Sequence, residues 1–534
     1  MSAANRKPRY GDVPETLQNV MRFSDERGWC SPRTTISRIK GMPPIMRALE
    51  AMRVDKNHGR KRNPGCWPLA YLVWVMSGWP DIQRWYNSGI CDDPALWKLM
   101  GFDGWVPAYS TVYERFVELE GQTRDFQAIA DRLIQDARRR DPRIGRWVHL
   151  DATEAETHSS PVHDCGPGDH CPTRHGHGSV PHRLERPDHE TVKAVRQAAA
   201  ELPEDDTHTP AHAAGHTAVP ITKRVEDPDR GGVRFFSGGH WWFTRDREAG
   251  LRAYTDKGKN LKAWFGYYNN KLIDHYTRAT IAVLVHPADV NEATVYPEIL
   301  EQAIESLGAT PLWMAGDRGL ATRAVYERNT RLGICGALPY RRDNGHSPVR
   351  PPSGPTGDGG HPRWDRFGRP LCQHCGGPTD HKGFSNIDGK PRIGYRCALP
   401  QTPACEPVKK ISCTHDFRAL VPHPRESEAF AAMSIRQKNL EGPHDDWRDH
   451  YGVAGNSLKT RPKRIGMAWQ QLRATAALVL EWLWVHARMG WTGQPRAAKR
   501  AARPSPQRLA RRLKAMHDWM AGGALPRPGA EPPG

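Results

Sequence analysis

Apolar residues recur at intervals of three and four from about Ile45 to Leu119, as at Ile45, Leu49 and Met52 and again through Tyr71 to Trp79. That spacing gathers them on one face of a helix, so a helical region is expected over residues 1–144. Tyr109 to Phe116 reads as the start of a helix, because Thr111 and Glu114 have capping-box spacing. The pattern then changes. After a charged helix ending in Arg138-Arg139-Arg140, Arg146 to Leu150 predicts a short buried strand that runs into Asp151.

Residues from about 158 to 234 turn rich in His, Pro, Gly and charge, without a sustained period, and read as an insertion. Lys262–Asn269 and Arg278–His286 are aromatic or β-branched runs joined by a short connection, which predicts a hairpin. Asn291 and Glu292 open a helix that Gly308 stops near Leu307, and Pro311 to Ala315 forms a strand ending at Gly316-Asp317. A helix over Ala321–Leu332 and a strand over Ile334–Leu338 follow. The predicted class is α/β, a mixed sheet flanked by helices. Pro351 to Pro370 reads as a linker, Ser457 to Arg488 as a long helix, and Gln494 onward as a basic flexible tail.

A chain of 534 residues is long enough for two or three folded units. The expected division is 1–144, a helical region; 145–342, the first part of an α/β core; 343–425, a linker and Cys-rich insertion; 426–490, the closing helical part; and 491–534, the tail. Lys plus Arg number 77 against 59 Asp plus Glu, a net charge of +18 that favours a polyanionic partner such as nucleic acid. It makes Lys56, Arg60, Lys61 and Arg62 candidate phosphate contacts, or a solvated loop. It likewise makes the helix carrying Ser110, Tyr113 and Arg115 a candidate recognition helix, or an ordinary packed one. No apolar run is long enough for a membrane span, and an odd count of 11 Cys with no secretory leader pattern points to a cytoplasmic protein with reduced thiols.

Phosphodiester chemistry by two divalent ions needs carboxylates converging from different elements. Asp151 and Asp317, each after a strand, are suitable ligands; each is equally a turn residue or helix cap. Three stretches together change that balance: strand-Asp151, the Trp264-Phe265-Gly266-Tyr267 strand whose partner ends His286-Pro287-Ala288-Asp289-Val290-Asn291, and Gly316-Asp317-Arg318-Gly319. In order and character they resemble the catalytic domain of bacterial insertion-sequence DDE transposases, over roughly residues 145 to 485, with a looser likeness across the N-terminal helices. The resemblance implies an RNase H-like fold with the first two acids, here Asp151 and Asp317, on its first and fourth strands. Arg436 to Gly442 resembles the family's Arg-rich segment and makes Glu441 the third acid, ahead of Glu426, Glu428 and Glu481. Lys463 to Leu480 resembles the family's closing helix.

The activity so implied is metal-dependent nicking at the ends of a transposable element, followed by attack of the freed 3′-hydroxyl on target DNA. It uses two Mg²⁺ or Mn²⁺ ions. The partners are double-stranded DNA, as terminal inverted repeats and target, and further copies of the chain assembled on it; the location implied is cytoplasmic, on the nucleoid. Arg318, Arg436 and Lys459 are candidate phosphate contacts or structural ion-pair partners. Two other classes share these features: a transposase-derived DNA-binding protein without the chemistry, and a stand-alone nuclease.

Cys372-x-x-Cys375 followed by Cys397 and Cys405 supplies four soft ligands, the first pair with zinc-knuckle spacing, for a structural Zn²⁺. Cys413 or His415 can substitute for Cys405 on spacing alone. A stapled insertion here also accounts for the long separation of Asp317 from Glu441. His163, Cys165, His170, Cys171, His175 and His177 form a denser group without paired spacing, either an exposed loop or a second metal site.

Overall fold

A computed structural model describes residues 32–52, 65–103, 105–157, 159, 161–165, 221–237, 240–255, 261–338, 369–415, 451–453 and 466–491, with a few single positions between 417 and 447. Up to residue 140 the described elements are helical: α1 (Pro32–Lys40), α2 (Pro43–Ala51), α3 (Cys66–Met76), α4 (Ile82–Asn87), α5 (Pro94–Met100), α6 (Tyr109–Glu118) and α7 (Thr123–Arg140). Every residue of α3 from Cys66 to Val75 is buried, since a helix apolar on all sides must be enclosed on all sides. Helix α6 begins at Tyr109 with Ala108 at its N-cap and no side-chain cap. The Thr111–Glu114 spacing therefore makes no capping box: the helix starts before Thr111 and places both residues inside it.

Strand β1 (Trp147–Glu156) opens the large sheet. It runs past Asp151 for five more residues, so this acid stands within the strand and not at its end. Next come a small antiparallel sheet, in the order β2 (Val162–His163), β5 (His240–Thr244), β4 (Gly232–Ser237), β3 (Ile221–Asp227), and then β6 (Gly250–Thr255), β7 (Leu261–Asp274) and β8 (Thr280–Pro287). The expected insertion thus ends in a β-hairpin, β3–β4, in which Lys223 and Val225 on one face are exposed and Val233 and Phe235 on the other are buried. The β7–β8 hairpin forms as the apolar runs predicted.

Helix α8 (Glu292–Leu307) is capped by Asn291, whose Oδ1 accepts from the Ala293 amide at 2.8 Å, and it stops at Gly308. Strand β9 (Trp313–Ala315), helix α9 (Arg323–Arg331) and strand β10 (Cys335–Ala337) complete the sheet. Its order is β10-β9-β1-β7-β6, with β8 also on β7. Strands β1, β9 and β10 are parallel to one another; β7 runs against β1, and β8 against β7. Strands β1, β8, β9 and β10 therefore all point the same way. A second small sheet, β11 (Thr379–Ile387), β12 (Lys390–Cys397) and β13 (Lys409–Ser412), is antiparallel throughout.

Helix α10 (Met467–Arg488) joins the parts. It packs on β8, α7 and α3, and one continuous apolar core runs from Ile36 through the sheet to Val485. Arg473 is fully buried there, donating to the carbonyls of Trp79 (3.2 Å) and Tyr451 (3.4 Å), with its guanidinium 4.6 Å from the Trp74 ring. Among the described residues no helix is long and apolar enough to cross a membrane.

Candidate functional site

Strand β9 pairs with β1 only from Trp147↔Trp313 to His149↔Ala315. Asp151 and Asp317 each lie two residues beyond the last such pair, at the end where the parallel pairing gives out. Gly316 leads into the turn: a Cβ there would lie 2.4 Å from Leu320 Cδ1, so a larger residue needs that side chain to shift. Asp317 is exposed, and its Oδ1 accepts from the amides of Gly319 (2.6 Å) and Leu320 (3.3 Å), which fixes its orientation. Asp151 is half-buried, and its Oδ1 accepts from the Ala152 amide at 2.9 Å.

The sequence reading missed a third acid at this end. Because β8 points the same way as β1 and β9, the helix that follows it starts near their C-terminal ends, and the first residue of α8 is Glu292. Its carboxyl is pushed up to about 8, chiefly by loss of hydration and then by the like charges of Asp317 and Asp151; Arg252 opposes the shift. The only sequence signal was position, an acid directly after the Asn291 cap.

Beside Asp151, as its direct partner on antiparallel β7, lies Lys271, completely buried, its ammonium 4.7 Å from the Trp447 ring. Glu481 of α10 is held by the Thr280 amide (2.9 Å) and the Trp447 indole N–H (2.6 Å). Burial pushes its carboxyl up to about 7, with Lys271 opposing. These contacts make Glu481 a paired acid of the core.

Of the predicted DNA contacts, Ser110 and Tyr113 are exposed on α6, while Arg115 is ion-paired to Glu118 at 2.7 Å. Lys56, Arg60, Lys61, Arg62, Glu426, Glu428, Arg436, Glu441 and Lys459 lie outside the described residues, as does the side chain of Arg318. His163 packs against Trp242 and Cys165 accepts from the Trp241 amide, both within the small sheet; His170, Cys171, His175 and His177 lie outside the described residues.

The four cysteines converge. Cys372 and Cys375 flank a tight turn in which the Gly376 amide donates to the Cys372 carbonyl (2.8 Å) and the Cys372 amide to that of Gly377 (2.9 Å); Gly376 takes a φ of +69° that a side chain would resist. Cys397 ends β12, and Cys405 closes a short turn after it. The sulfurs of Cys372 and Cys405 are 3.8 Å apart, those of Cys375 and Cys397 3.6 Å, and all four lie within 4.8 Å of one another. Four thiolates at tetrahedral bonds of about 2.3 Å have edges of about 3.8 Å, so the cluster can hold a metal ion such as zinc. The Thr402 hydroxyl, 3.3 Å from Cys405 Sγ, helps draw that thiol below its ordinary value, which favours the thiolate a metal needs. Cys413 is a buried member of the main apolar core, its thiol pushed up to about 12, so Cys405 and not Cys413 completes the set. Among the described residues this is the one cluster of metal-ligating groups so close together.

Comparison of the chain with protein-family models, with curated proteins and with solved structures found no match in any of the three.

Proposed function

We propose that the chain is a DNA strand-cleaving and strand-transferring enzyme of the insertion-sequence transposase type. The observation that carries the reading is that Asp151 on β1 and Asp317 just past the neighbouring parallel strand β9 each lie two residues beyond the last pair of those strands, with Glu292 opening a helix at the same end. Strand β6 pairs only with the first half of β7. If it is left out, Asp151 lies on the first strand of the sheet and Asp317 follows the fourth, where the resemblance to RNase H-like transposases puts them.

The residues suit hard cations: Asp151, Asp317 and Glu292 offer carboxylate oxygens, and the like charges that add to burial in raising Glu292 are what a bound divalent cation offsets. Asp151, Asp317 and either Glu292 or Glu441 would hold Mg²⁺ or Mn²⁺. Such ions supply an activated oxygen nucleophile and stabilise the departing oxygen of the phosphodiester. The chain's own part is positional. Amides of Gly319 and Leu320 aim Asp317, the β1 ladder fixes Asp151, and Lys271 with Glu481 puts a buried charged pair beside it. The four-cysteine cluster holds a structural Zn²⁺. Double-stranded DNA is the partner, with copies of the chain assembled on it.

The test is Mg²⁺- or Mn²⁺-dependent cleavage of duplexes carrying the sequences that flank the gene. Asp151→Asn and Asp317→Asn should each lower the rate about a hundredfold or more, and whichever of Glu292→Gln and Glu441→Gln does the same identifies the third ligand. Cleavage unchanged in the two Asp variants overturns the reading. Specific binding by the wild type without cleavage replaces it with a DNA-binding protein lacking the chemistry.

A further inference from the structure

The small sheet that carries the cysteines has two unlike faces. Along β12, Pro391, Ile393, Tyr395 and Cys397 are buried, while Lys390, Arg392 and Arg396 are exposed. The inner face is fixed to α9: Asn386 Nδ2 donates to the carbonyls of Thr330 (3.4 Å) and Arg331 (3.0 Å), and Phe384 packs on the main core. The outer face carries more than β12's cations. Lys410 of β13 pairs in register with Gly394, and Lys382 projects at the bulge of β11 beside Gly383. Five exposed cations therefore surround a cross-strand pair of glycines. Among the described residues of the three strands, Asp380, opposite Arg396, is the one carboxylate on this face, and it is ion-paired with Lys382 at 3.5 Å.

The centre of the face is bare backbone. A Cβ at Gly383 would meet nothing within 4 Å, and one at Gly394 would meet nothing closer than 3.6 Å. Around it stand large apolar side chains left in water: Ile387 (65% exposed), next to Lys390 in register, and Val408 (52%), beside Gly394. Cations with a shallow open centre and apolar neighbours suit a ligand whose phosphates are spaced and whose sugars are partly apolar. Arg392 and Arg396 are separated by about 13 Å along the strand, comparable with the ~12 Å width of the major groove of DNA, so one strand can reach phosphates on both sides of it.

We propose that the outer face of β11–β13 is a docking surface for the phosphate backbone of double-stranded DNA, contacted by Lys382, Lys390, Arg392, Arg396 and Lys410. This rests on the reading of the chain as a DNA-acting enzyme and adds a contact surface to it. The cysteine cluster gives the face its rigidity, and α9, which starts six residues after Asp317, sets its position relative to the acids.

The test uses the full-length, zinc-loaded protein and a fluorescently labelled 30-base-pair duplex, with affinity measured by anisotropy across a range of salt. Neutralising Arg392, Arg396 and Lys410 together to Gln should reduce the slope of log affinity against log salt by about 2.7, or about 0.9 for each lost phosphate contact. Zinc content and circular dichroism should stay as in the wild type, since the three side chains are exposed. The control is Arg139→Gln with Arg140→Gln on α7, which should leave the slope unchanged. An unchanged slope in the triple variant, or an equal loss per charge in the control, overturns the docking surface while leaving the enzymatic reading intact. No duplex binding by the wild type overturns both. Loss in the triple variant of binding to phosphatidylserine vesicles, with duplex binding retained, assigns the face to a membrane and overturns the proposal.

Discussion

The two clusters of candidate ligands in this chain are built on opposite plans. The four thiols come from one small sheet and its loops, within 34 residues of sequence, and converge until their sulfurs nearly touch. The three carboxylates come from β1, α8 and the turn after β9, Asp151 far in sequence from the other two, and do not form a close cluster like that of the thiols. A closed set of soft donors has nothing left to offer a substrate; its value is in holding chain to chain. An open set of hard donors is a poor staple, and at Glu292 it costs the fold electrostatic repulsion, but it leaves room for water and for a phosphate. A closed donor set and an open one are thus placed in separate parts of the molecule.

The largest effect that would break this contrast concerns the thiols. Replacing Cys372 and Cys375 by Ser, or stripping the metal with a chelator, should remove on the order of 10 kcal/mol of metal-binding free energy from the small sheet. Hydrogen exchange along β11–β13 should then rise steeply while α10 and β8 stay protected. Protection retained in β12 would mean that the module stands without its staple.

The carboxylates should behave in the opposite sense. Removing the charge at Glu292 with Gln should stabilise the metal-free protein at pH 8.5 by about 1–2 kcal/mol in urea denaturation, a value discounted for partial exposure to solvent. The pH dependence sharpens this. The folded-state value of Glu292 is raised to about 8 above an ordinary carboxylate's, so its contribution is fully present below about pH 4.5 and is lost as pH rises through 8. Wild type should therefore lose more stability than Glu292→Gln between pH 5 and pH 9. Parallel profiles would show that neither burial nor the neighbouring charges raise Glu292. Smallest of all, millimolar Mg²⁺ should raise the wild-type melting temperature by about 2–4 °C and leave an Asp151→Asn/Asp317→Asn variant unmoved.

Much of the large sheet was legible because its signals are local. The Asn291 cap, the Gly308 stop and the β-branched run of β8 each depend on residues a few positions apart, and the structure places them where those signals lie. The extent of β1 was not legible: past Leu150 it becomes Asp-Ala-Thr-Glu-Ala-Glu, polar because this stretch lies beyond the end of β9, yet β7 pairs with it to Glu156. Hairpin β3–β4 was hidden for a related reason, since β3 and its turn expose Lys223, Glu226 and Arg230, charges on both faces that dilute the alternation. Glu292 was beyond any local reading. What brings it near Asp151 and Asp317 is the common direction of β1, β8 and β9, a property of strand order. The choice of Cys405 over Cys413 also needed the third dimension, because spacing allows both and only packing shows that Cys413 is committed to the core.

Helix α10 follows every other described element in the chain, yet it touches the sheet through β8, the helical region through α3 and α7, and the Trp79 and Tyr451 carbonyls through Arg473. As the polypeptide emerges from the ribosome, the apolar faces of α3, α7 and β8 are made hundreds of residues before their common partner. Long loops must close before those contacts form, so folding should be slow, with a long-lived intermediate whose sticky surfaces await the helix. In a cell this lag makes the nascent chain a natural client for chaperones, and makes premature termination before Met467 more damaging than most single substitutions.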